Sequence, residues 1–226
     1  MSFAEVDKLF DTDNVQSGYD TLKKRYDEGE KTPDVLWRLA KFCQQLSARA
    51  KDKGKRKEWI FEGKALALEG HQADESHFLA LKWAAIMSGS ATDYYGPKEK
   101  IEEGAKFKDL LDKALAVNPK EHSILHMRGR YAFSVASLSW IERKAAAIFY
   151  ATPPTATMEE ALNDFLAAEE VEPIWIENLI YIIRIYHAKS DKENVKKYCN
   201  KLLAITPIDE EERERVQEAQ KILSKY

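Results

Sequence analysis

The feature that most constrains the fold of this chain is a repeated pattern of apolar residues at helical spacing. Each copy of the pattern is followed by a proline. The clearest copy places Ala161, Phe165 and Ala168 on one face of a helix before Pro173, and a second copy ends at Pro207. A sequence period in the thirties is typical of a solenoid, in which each helix pair buries its apolar face against the next. The sequence therefore predicts stacked helical hairpins.

The spacing is that of the tetratricopeptide unit, which has about 34 residues. The first three predicted units are longer than this. Gly129 and Ala161, for example, are separated by roughly twenty residues more than the unit requires. A low content of Gly (9) and Pro (7), together with 32% charged residues, also favours helices over turn-rich sheets. We predict an all-α fold, a tetratricopeptide-like α-solenoid with enlarged helical hairpins.

We predict one continuous domain with three segments. Residues 1–30 carry apolar side chains at helical spacing and are expected to form an N-terminal helix pair that packs on the solenoid. Residues 31–208 contain the repeats. In residues 209–226 a narrow apolar stripe that includes Val216 and Ile222 accompanies a polar remainder. Such a helix is typical of the cap that a solenoid needs at its end.

Four short motifs predict where helices begin. Thr32, Asn118 and Thr206 each precede a proline, which is tolerated at the first helical position because its missing N–H has no partner there. Thr157 and Glu160 have the spacing of a capping box, in which each side chain binds the other residue's backbone N–H. We expect a helix to start at each of these four positions.

The inserted segment of the third unit, residues 137–155, is rich in aromatic residues such as Trp140 and Phe149. This density favours a longer first helix that packs on its neighbour, because buried aromatic side chains dominate core energetics. An exposed recognition loop is the alternative. Pro153 and Pro154 are predicted to end the helix and turn the chain back.

Composition and termini limit the cellular setting. Cys43 and Cys199 lie far apart, without neighbouring ligands at metal spacing, so a reducing compartment without disulfides is expected. The chain starts without a signal-peptide pattern, and its best apolar run is too short to cross a bilayer. We therefore expect a cytoplasmic protein with no membrane partner. The net charge of −3 leaves attraction to a polyanion to local patches, and no nucleic-acid partner is expected.

Four segments carry a more specific resemblance: DVLWRLAK, LKWAAI, KALAVNPKEHSILHMRGRY and SWIERKAAAIFYATPPTATMEEALNDFLAAEEVEP. Together they resemble the regulator of microtubule dynamics family, whose members carry a tetratricopeptide-like domain. The resemblance covers nearly the whole chain. It implies association with microtubules and the mitotic spindle, a role in chromosome segregation, and tubulin or a spindle protein as the partner. The expected localisation is the cytoskeleton, the spindle and the spindle poles.

A tubulin surface is acidic, particularly in its C-terminal tails, so a binder needs grouped cations. The run RAKDKGKRK carries six positive charges and one negative charge where the first full unit is expected to turn between its helices. A charge run of this kind is often only a solvated surface. The candidate residues in this run are Arg49, Lys51, Lys53, Lys55, Arg56 and Lys57.

A second candidate surface follows from repeat geometry, because fixed positions of each first helix line the inner groove of such a solenoid. The ninth position is a cation in three units, and we expect these cations to line one wall. The alternative is that Arg130 and Arg184 pair with acids of neighbouring helices, such as Glu177, since an unpaired charge in a groove is costly. The predicted groove residues are the cations Lys41, Arg130 and Arg184 and the ring-bearing residues Trp37, His126 and Phe133.

No motif in the sequence predicts catalysis or a cofactor. His122 and His126 have the spacing that can hold zinc on a helix, but HSILH lacks the glutamate of a metalloprotease helix, so no metal is expected. A Gly-rich phosphate loop and an activated nucleophile motif are both missing. We expect a non-enzymatic binding protein. The alternative is a tetratricopeptide adaptor or co-chaperone that binds a peptide terminus, although cations without accompanying asparagines match it poorly.

Overall fold

The computed structural model describes residues 1–10, 12–149 and 155–226. Within these ranges the regular secondary structure is helical, with no strand. A short 3-10 turn at Thr92–Tyr94 follows the fifth helix. The α-helices are α1 (Phe3–Asp7), α2 (Val15–Asp27), α3 (Pro33–Arg49), α4 (Lys53–Ala73), α5 (Phe78–Ala91), α6 (Pro97–Val117), α7 (His122–Ala136), α8 (Trp140–Phe149), α9 (Met158–Val171), α10 (Ile176–Ala188), α11 (Lys192–Leu203) and α12 (Glu210–Leu223).

The chain folds into two compact units, Met1–Asn118 and Pro119–Tyr226, which we call unit 1 and unit 2. In unit 1, α2 packs on α3, α3 on α4, α4 on α5 and α5 on α6. In unit 2, α7 packs on α9, α9 on α10, and α12 on both α10 and α11. The division into segments 1–30, 31–208 and 209–226 of one continuous domain remains a prediction.

Two of the four predicted helix starts are confirmed. Thr32 caps α3, with Pro33 at the first helical position, and its hydroxyl accepts a hydrogen bond from the Val35 N–H. Thr157 and Glu160 form the predicted capping box at the start of α9. Each side chain satisfies a backbone N–H that has no partner inside the helix.

The other two predicted starts, at Asn118 and Thr206, are wrong. Asn118 ends α6, because its backbone N–H still donates to the Ala114 carbonyl at 2.9 Å. Helix α12 begins only at Glu210, since the Asp209 carboxylate is the group that accepts from a free N–H of the first turn. A proline also suits a turn, so it does not by itself distinguish a helix start from a connection between helices.

The first two hairpins are enlarged by long helices. Helix α3 has 17 residues, and α4 and α6 have 21 each. The core of unit 1 includes Phe42, which is fully buried and lies 4.5 Å from Phe10 between ring centroids. Helix α1 is held to α3 by Arg38, whose guanidinium donates to both carboxylate oxygens of Asp7 at 2.7 and 3.0 Å.

The third hairpin is enlarged by an additional helix, so the predicted longer first helix is wrong. Helix α7 ends at Ala136, and Ser139 then caps the separate helix α8 together with Glu142. Trp140 and Ile141 are 68% and 72% exposed, so these side chains remain largely in solvent. Tyr150 and the predicted break at Pro153 and Pro154 lie outside the described residues.

The core of unit 2 follows the predicted alternation of small and aromatic residues. Phe165 on α9 is fully buried and faces Gly129 on α7. A Cβ atom at Gly129 would lie 2.8 Å from Cε1 of the Phe165 ring, which is closer than two carbon atoms can approach. The glycine therefore allows the two helices of this hairpin to pack around a phenylalanine.

Candidate partner-binding surfaces

The basic run of unit 1 lies where the sequence predicts it, at the connection between α3 and α4. Arg49 is the last residue of α3, and α4 begins at Lys53. Residues 51–58 are all exposed. Asp52 caps α4 by accepting a hydrogen bond from the Lys55 N–H at 2.8 Å, so the only acid of the run is already used. We call residues Arg49–Lys57 the basic turn.

Three cations of the basic turn have internal contacts. Arg56 donates from Nε to the Ala50 carbonyl at 2.6 Å, and Arg49 donates to the carbonyls of Gln45 and Thr12. Lys55 pairs with Glu58 at 2.6 Å, but both side chains are exposed, so this pair contributes little. Two carbonyl contacts leave the charge of a guanidinium uncompensated.

The remaining lysines of the basic turn are still more available. In the described part of the chain no carboxylate forms an ion pair with Lys51 or Lys53. Lys57 lies over the ring of Phe61, with its Nζ 5.6 Å from the ring centroid. The first turn of α4 contains no acid, so these cations add to the positive end of the helix dipole. The basic turn is therefore an exposed, electropositive surface.

The predicted groove residues of unit 1 are less available to a partner. Trp37 is only 7% exposed and donates from Nε1 to the Asp34 carboxylate at 3.2 Å, so its indole belongs to the core. A role of Trp37 in binding a partner therefore remains a prediction. The Lys41 ammonium lies 3.9 Å from the centroid of the Phe10 ring.

In unit 2 the predicted groove residue His126 is buried. The side chain is 3% exposed, its Nδ1 lies 2.9 Å from Oδ1 of Asn178, and its ring centroid lies 4.2 Å from that of Trp175. The imidazole completes an internal aromatic cluster, and a role of His126 in binding a partner remains a prediction. Phe133 is half-buried and packs edge-on against Tyr181 at 5.3 Å.

The two groove arginines of unit 2 are both paired with internal carboxylates. Arg130 on α7 donates to Glu177 on α10 at 2.9 Å. Arg184 on α10 donates from Nε and a terminal nitrogen to both carboxylate oxygens of Glu218 on α12, at 2.8 and 2.6 Å. This is the internal pairing that the sequence left open as the alternative. Arg130 and Arg184 belong to unit 2, and Lys41 belongs to unit 1, so a shared wall of three cations remains a prediction.

A cleft of about 420 Å³ lies beside these ion pairs, within unit 2. Three nitrogen-bearing side chains approach the Glu177 carboxylate: His126 with Nε2 at 3.8 Å, Arg130 at 2.9 Å and Arg215 at 3.7 Å. The His126 imidazole and then the two guanidinium groups lower the pKa of Glu177 to about 2, against the opposing effect of its burial. The lining residues are Arg130, Glu177, Tyr181, Arg184, Glu211, Glu214, Arg215 and Glu218.

Sequence reasoning missed Glu218 and Tyr181. Tyr181 lies between the two arginines, with guanidinium carbons 5.7 Å (Arg130) and 4.9 Å (Arg184) from its ring centroid. A signal for Glu218 was present, because Glu211, Glu214 and Glu218 recur at i, i+3 and i+7 beside the apolar stripe of the last helix. The apolar stripe of α12 faces the core, and the adjoining carboxylate of Glu218 therefore faces α10, where it meets Arg184.

The described residues offer no site for a metal ion or a membrane span. His126 is committed to Asn178 and the aromatic cluster, and His122 lies edge-on to Trp175 at 5.7 Å. No group of His, Cys, Asp or Glu within the described ranges is arranged to hold a metal. Among the same residues, no helix combines the length and the apolar character that crossing a bilayer requires.

Comparisons with known proteins place this geometry in context. The family model described as "Regulator of microtubule dynamics protein 1-3" matches residues 2–226. The chain is 41% identical to Regulator of microtubule dynamics protein 1 of Caenorhabditis elegans, over 99% of each chain. It is 28% identical to Regulator of microtubule dynamics protein 2 of Homo sapiens, over 97% of this chain and 54% of that protein. The chain thus spans about half the length of the human relative.

A solved structure supports the fold. A thermophilic TPR protein of Thermus thermophilus superimposes with a TM-score of 0.64 over 97% of each chain, at 13% sequence identity. A likeness at this identity shows the fold alone. It confirms the predicted all-α, tetratricopeptide-like α-solenoid class.

Proposed function

The chain belongs to the regulator of microtubule dynamics family, and from this premise we propose that it is a non-catalytic, microtubule-associated regulator that acts at the spindle in chromosome segregation. The proposed partner is tubulin or a spindle protein with an acidic surface. The names of the relatives support a role connected with microtubules. The tetratricopeptide-like fold supports a binding role rather than catalysis.

The single observation that carries the proposed contact is the exposed basic turn. Its cations lie within nine consecutive residues, and Lys51 and Lys53 have no ion-pair partner among the described residues. Flexible lysine side chains can follow a mobile acidic tail, because an ammonium group makes no demand for one fixed geometry. The basic turn is therefore the preferred binding site, ahead of the arginines of unit 2.

The arginines of unit 2 support the proposal less well. Both are satisfied by carboxylates of the same chain, so an acidic partner would have to replace an existing ion pair. The alternative function, capture of a peptide terminus by an adaptor, gains no support either. Asn178, the asparagine next to this surface, is fully buried and donates to the Phe165 carbonyl at 2.8 Å.

The experiment is co-sedimentation with polymerised tubulin across a salt series. Replacing Lys51, Lys53 and Lys55 by Glu in one variant is expected to weaken binding by on the order of tenfold or more at low salt, because a rim contact of this kind is electrostatic. The matched control replaces three exposed lysines of α11, Lys192, Lys196 and Lys197, by Glu. It makes the same charge change in unit 2 and is expected to retain most of the affinity.

Removal of the acidic tubulin tails by protease supplies the second arm. The wild-type protein should then bind no better than the variant of the basic turn. If both lysine variants lost binding equally, the loss would be due to the change in net charge and not to a contact at the basic turn. Full binding by the variant of the basic turn would remove this site from the proposal.

A further inference from the structure

The arginines of unit 2 share their surface with the last helix of the chain. Arg130 on α7, Tyr181 on α10 and Arg184 on α10 form a row in which the two guanidinium groups flank the tyrosine ring. We call these three residues the arginine face. A cation–aromatic–cation row has the chemistry to bind an acidic polypeptide, since it offers two carboxylate partners and an apolar contact between them.

Helix α12 already supplies this face with a carboxylate. Glu218 binds Arg184 through two hydrogen bonds, in the two-point geometry that an arginine prefers with a carboxylate. The helix also presents Glu211 and Glu214 to the same cleft. Just beyond α12, the Tyr226 hydroxyl lies 2.8 Å from Nδ1 of His187, another side chain of α10. The terminal segment thus lies along α10 and carries acids toward its cations.

The ion pairs of α12 are separate from the contacts that anchor it. Ala219 is fully buried and Ile222 is nearly so, whereas the side chains of Arg184 and Glu218 are 33% and 35% exposed. An ion pair at this exposure contributes modestly, because water screens it. A partner with several carboxylates can therefore replace Glu218 at Arg184 while α12 stays packed through its apolar residues.

We propose that the arginine face is a second surface for an acidic polypeptide segment and that α12 masks it through Glu218. The mask works in two ways. Glu218 neutralises Arg184 directly, and Glu211 and Glu214 repel an incoming carboxylate. An acidic polypeptide is the partner that this geometry fits, because Arg184 already binds a carboxylate at two points and the adjacent Tyr181 ring offers an apolar contact to a side chain.

Binding at the arginine face is measured separately from binding to microtubules. The probe is a short polyglutamate peptide, and the background is the variant K51Q/K53Q/K55Q, which removes three of the six positive charges of the basic turn. Failure of the basic turn to bind microtubules therefore leaves this test intact, and the reverse also holds. Affinity is measured by fluorescence anisotropy at low ionic strength.

In this background, Glu218→Gln is expected to raise the affinity for the peptide about fivefold, which corresponds to the loss of one partly exposed ion pair. Glu214→Gln is the matched control, because it makes the same charge change on the same helix and lines the same cleft. Glu214 has no ion-pair partner in the described part of the chain, so its substitution relieves repulsion only. Adding Arg184→Gln to Glu218→Gln should abolish the gain.

A side-chain measurement keeps the test decisive if Glu218→Gln loosens α12. The Nε–Hε resonance of Arg184 in a nuclear magnetic resonance spectrum should shift when the peptide is added to Glu218→Gln, and should shift less in the parent background. Equal gains from Glu218→Gln and Glu214→Gln would overturn the proposal, as would an Arg184 resonance that the peptide never moves.

Discussion

The basic turn of unit 1 and the arginine face of unit 2 differ in where their carboxylates come from. In the basic turn six cations lie within nine consecutive residues, and the acid among them, Asp52, caps a helix. On the arginine face each cation meets a glutamate from another helix of the stack, Glu177 or Glu218. Cations that are neighbours in sequence stay exposed at a turn, whereas cations at repeat positions are compensated when the hairpins stack.

The largest expected effect tests whether the two regions are independent. Phe165→Ala removes the buried ring that packs against Gly129 and is expected to lower the free energy of unfolding of unit 2 by about 3–5 kcal/mol. Thermal unfolding followed by circular dichroism measures this loss. Binding to microtubules through the basic turn should persist below the transition, and its parallel loss would break the comparison.

The next effect is a pH dependence that arises from Glu177 in unit 2. The pKa of Glu177 is lowered from 4.5 to about 2, first by His126 and then by Arg130 and Arg215. Because the folded-state pKa lies below the unfolded value, the stabilisation is fully present above pH 4.5 and is lost as pH falls through the folded pKa. It amounts to on the order of 3 kcal/mol.

Denaturant unfolding between pH 7 and pH 2 checks this dependence. Glu177→Gln should lower the stability at neutral pH and flatten the acid limb of the curve. Glu193→Gln, on the exposed first turn of α11, is the control and should leave the acid limb unchanged. If the acid limb of Glu177→Gln were the same as that of the wild-type protein, protonation of Glu177 would not be coupled to the stability of unit 2.

The smallest effect concerns the pair that masks Arg184. Since both partners are about one-third exposed, a double-mutant cycle of Arg184→Gln and Glu218→Gln should give a coupling energy of less than about 1 kcal/mol. Chemical denaturation of the four proteins measures it. A coupling energy of several kcal/mol would mean that the Arg184–Glu218 pair holds α12 firmly against α10. The cations of the arginine face would then be far less available to a partner than those of the basic turn.

The sequence predicted the fold class and the core positions because both follow from local periodicity. Phe165 and Cys199 are buried where the repeat pattern expects them. Helix starts were harder to predict, because a Thr-Pro or Asn-Pro pair suits a turn as well as a helix. The inserted helix α8 was missed, since aromatic density alone does not distinguish a buried side chain from the exposed Trp140.

The basic turn could be predicted because its cations are close together in sequence and their exposure follows from the connection between two helices. The arginine face could not. Whether Arg184 is free depends on Glu218, which lies 34 residues away on a helix whose register against α10 is set by the packing of Ala219 and Ile222. The buried positions of Trp37 and His126 likewise depend on partners from elsewhere in the chain, such as Phe10 and Asn178.

Lysine footprinting on the wild-type protein tests the central claim most directly. The protein is acetylated with and without microtubules, and the modified lysines are quantified by mass spectrometry. We predict that microtubules protect Lys51 and Lys53 and leave Lys192 and Lys196 as reactive as before. Protection of the α11 lysines with undiminished reactivity at Lys51 and Lys53 would contradict the assignment of the contact to the basic turn.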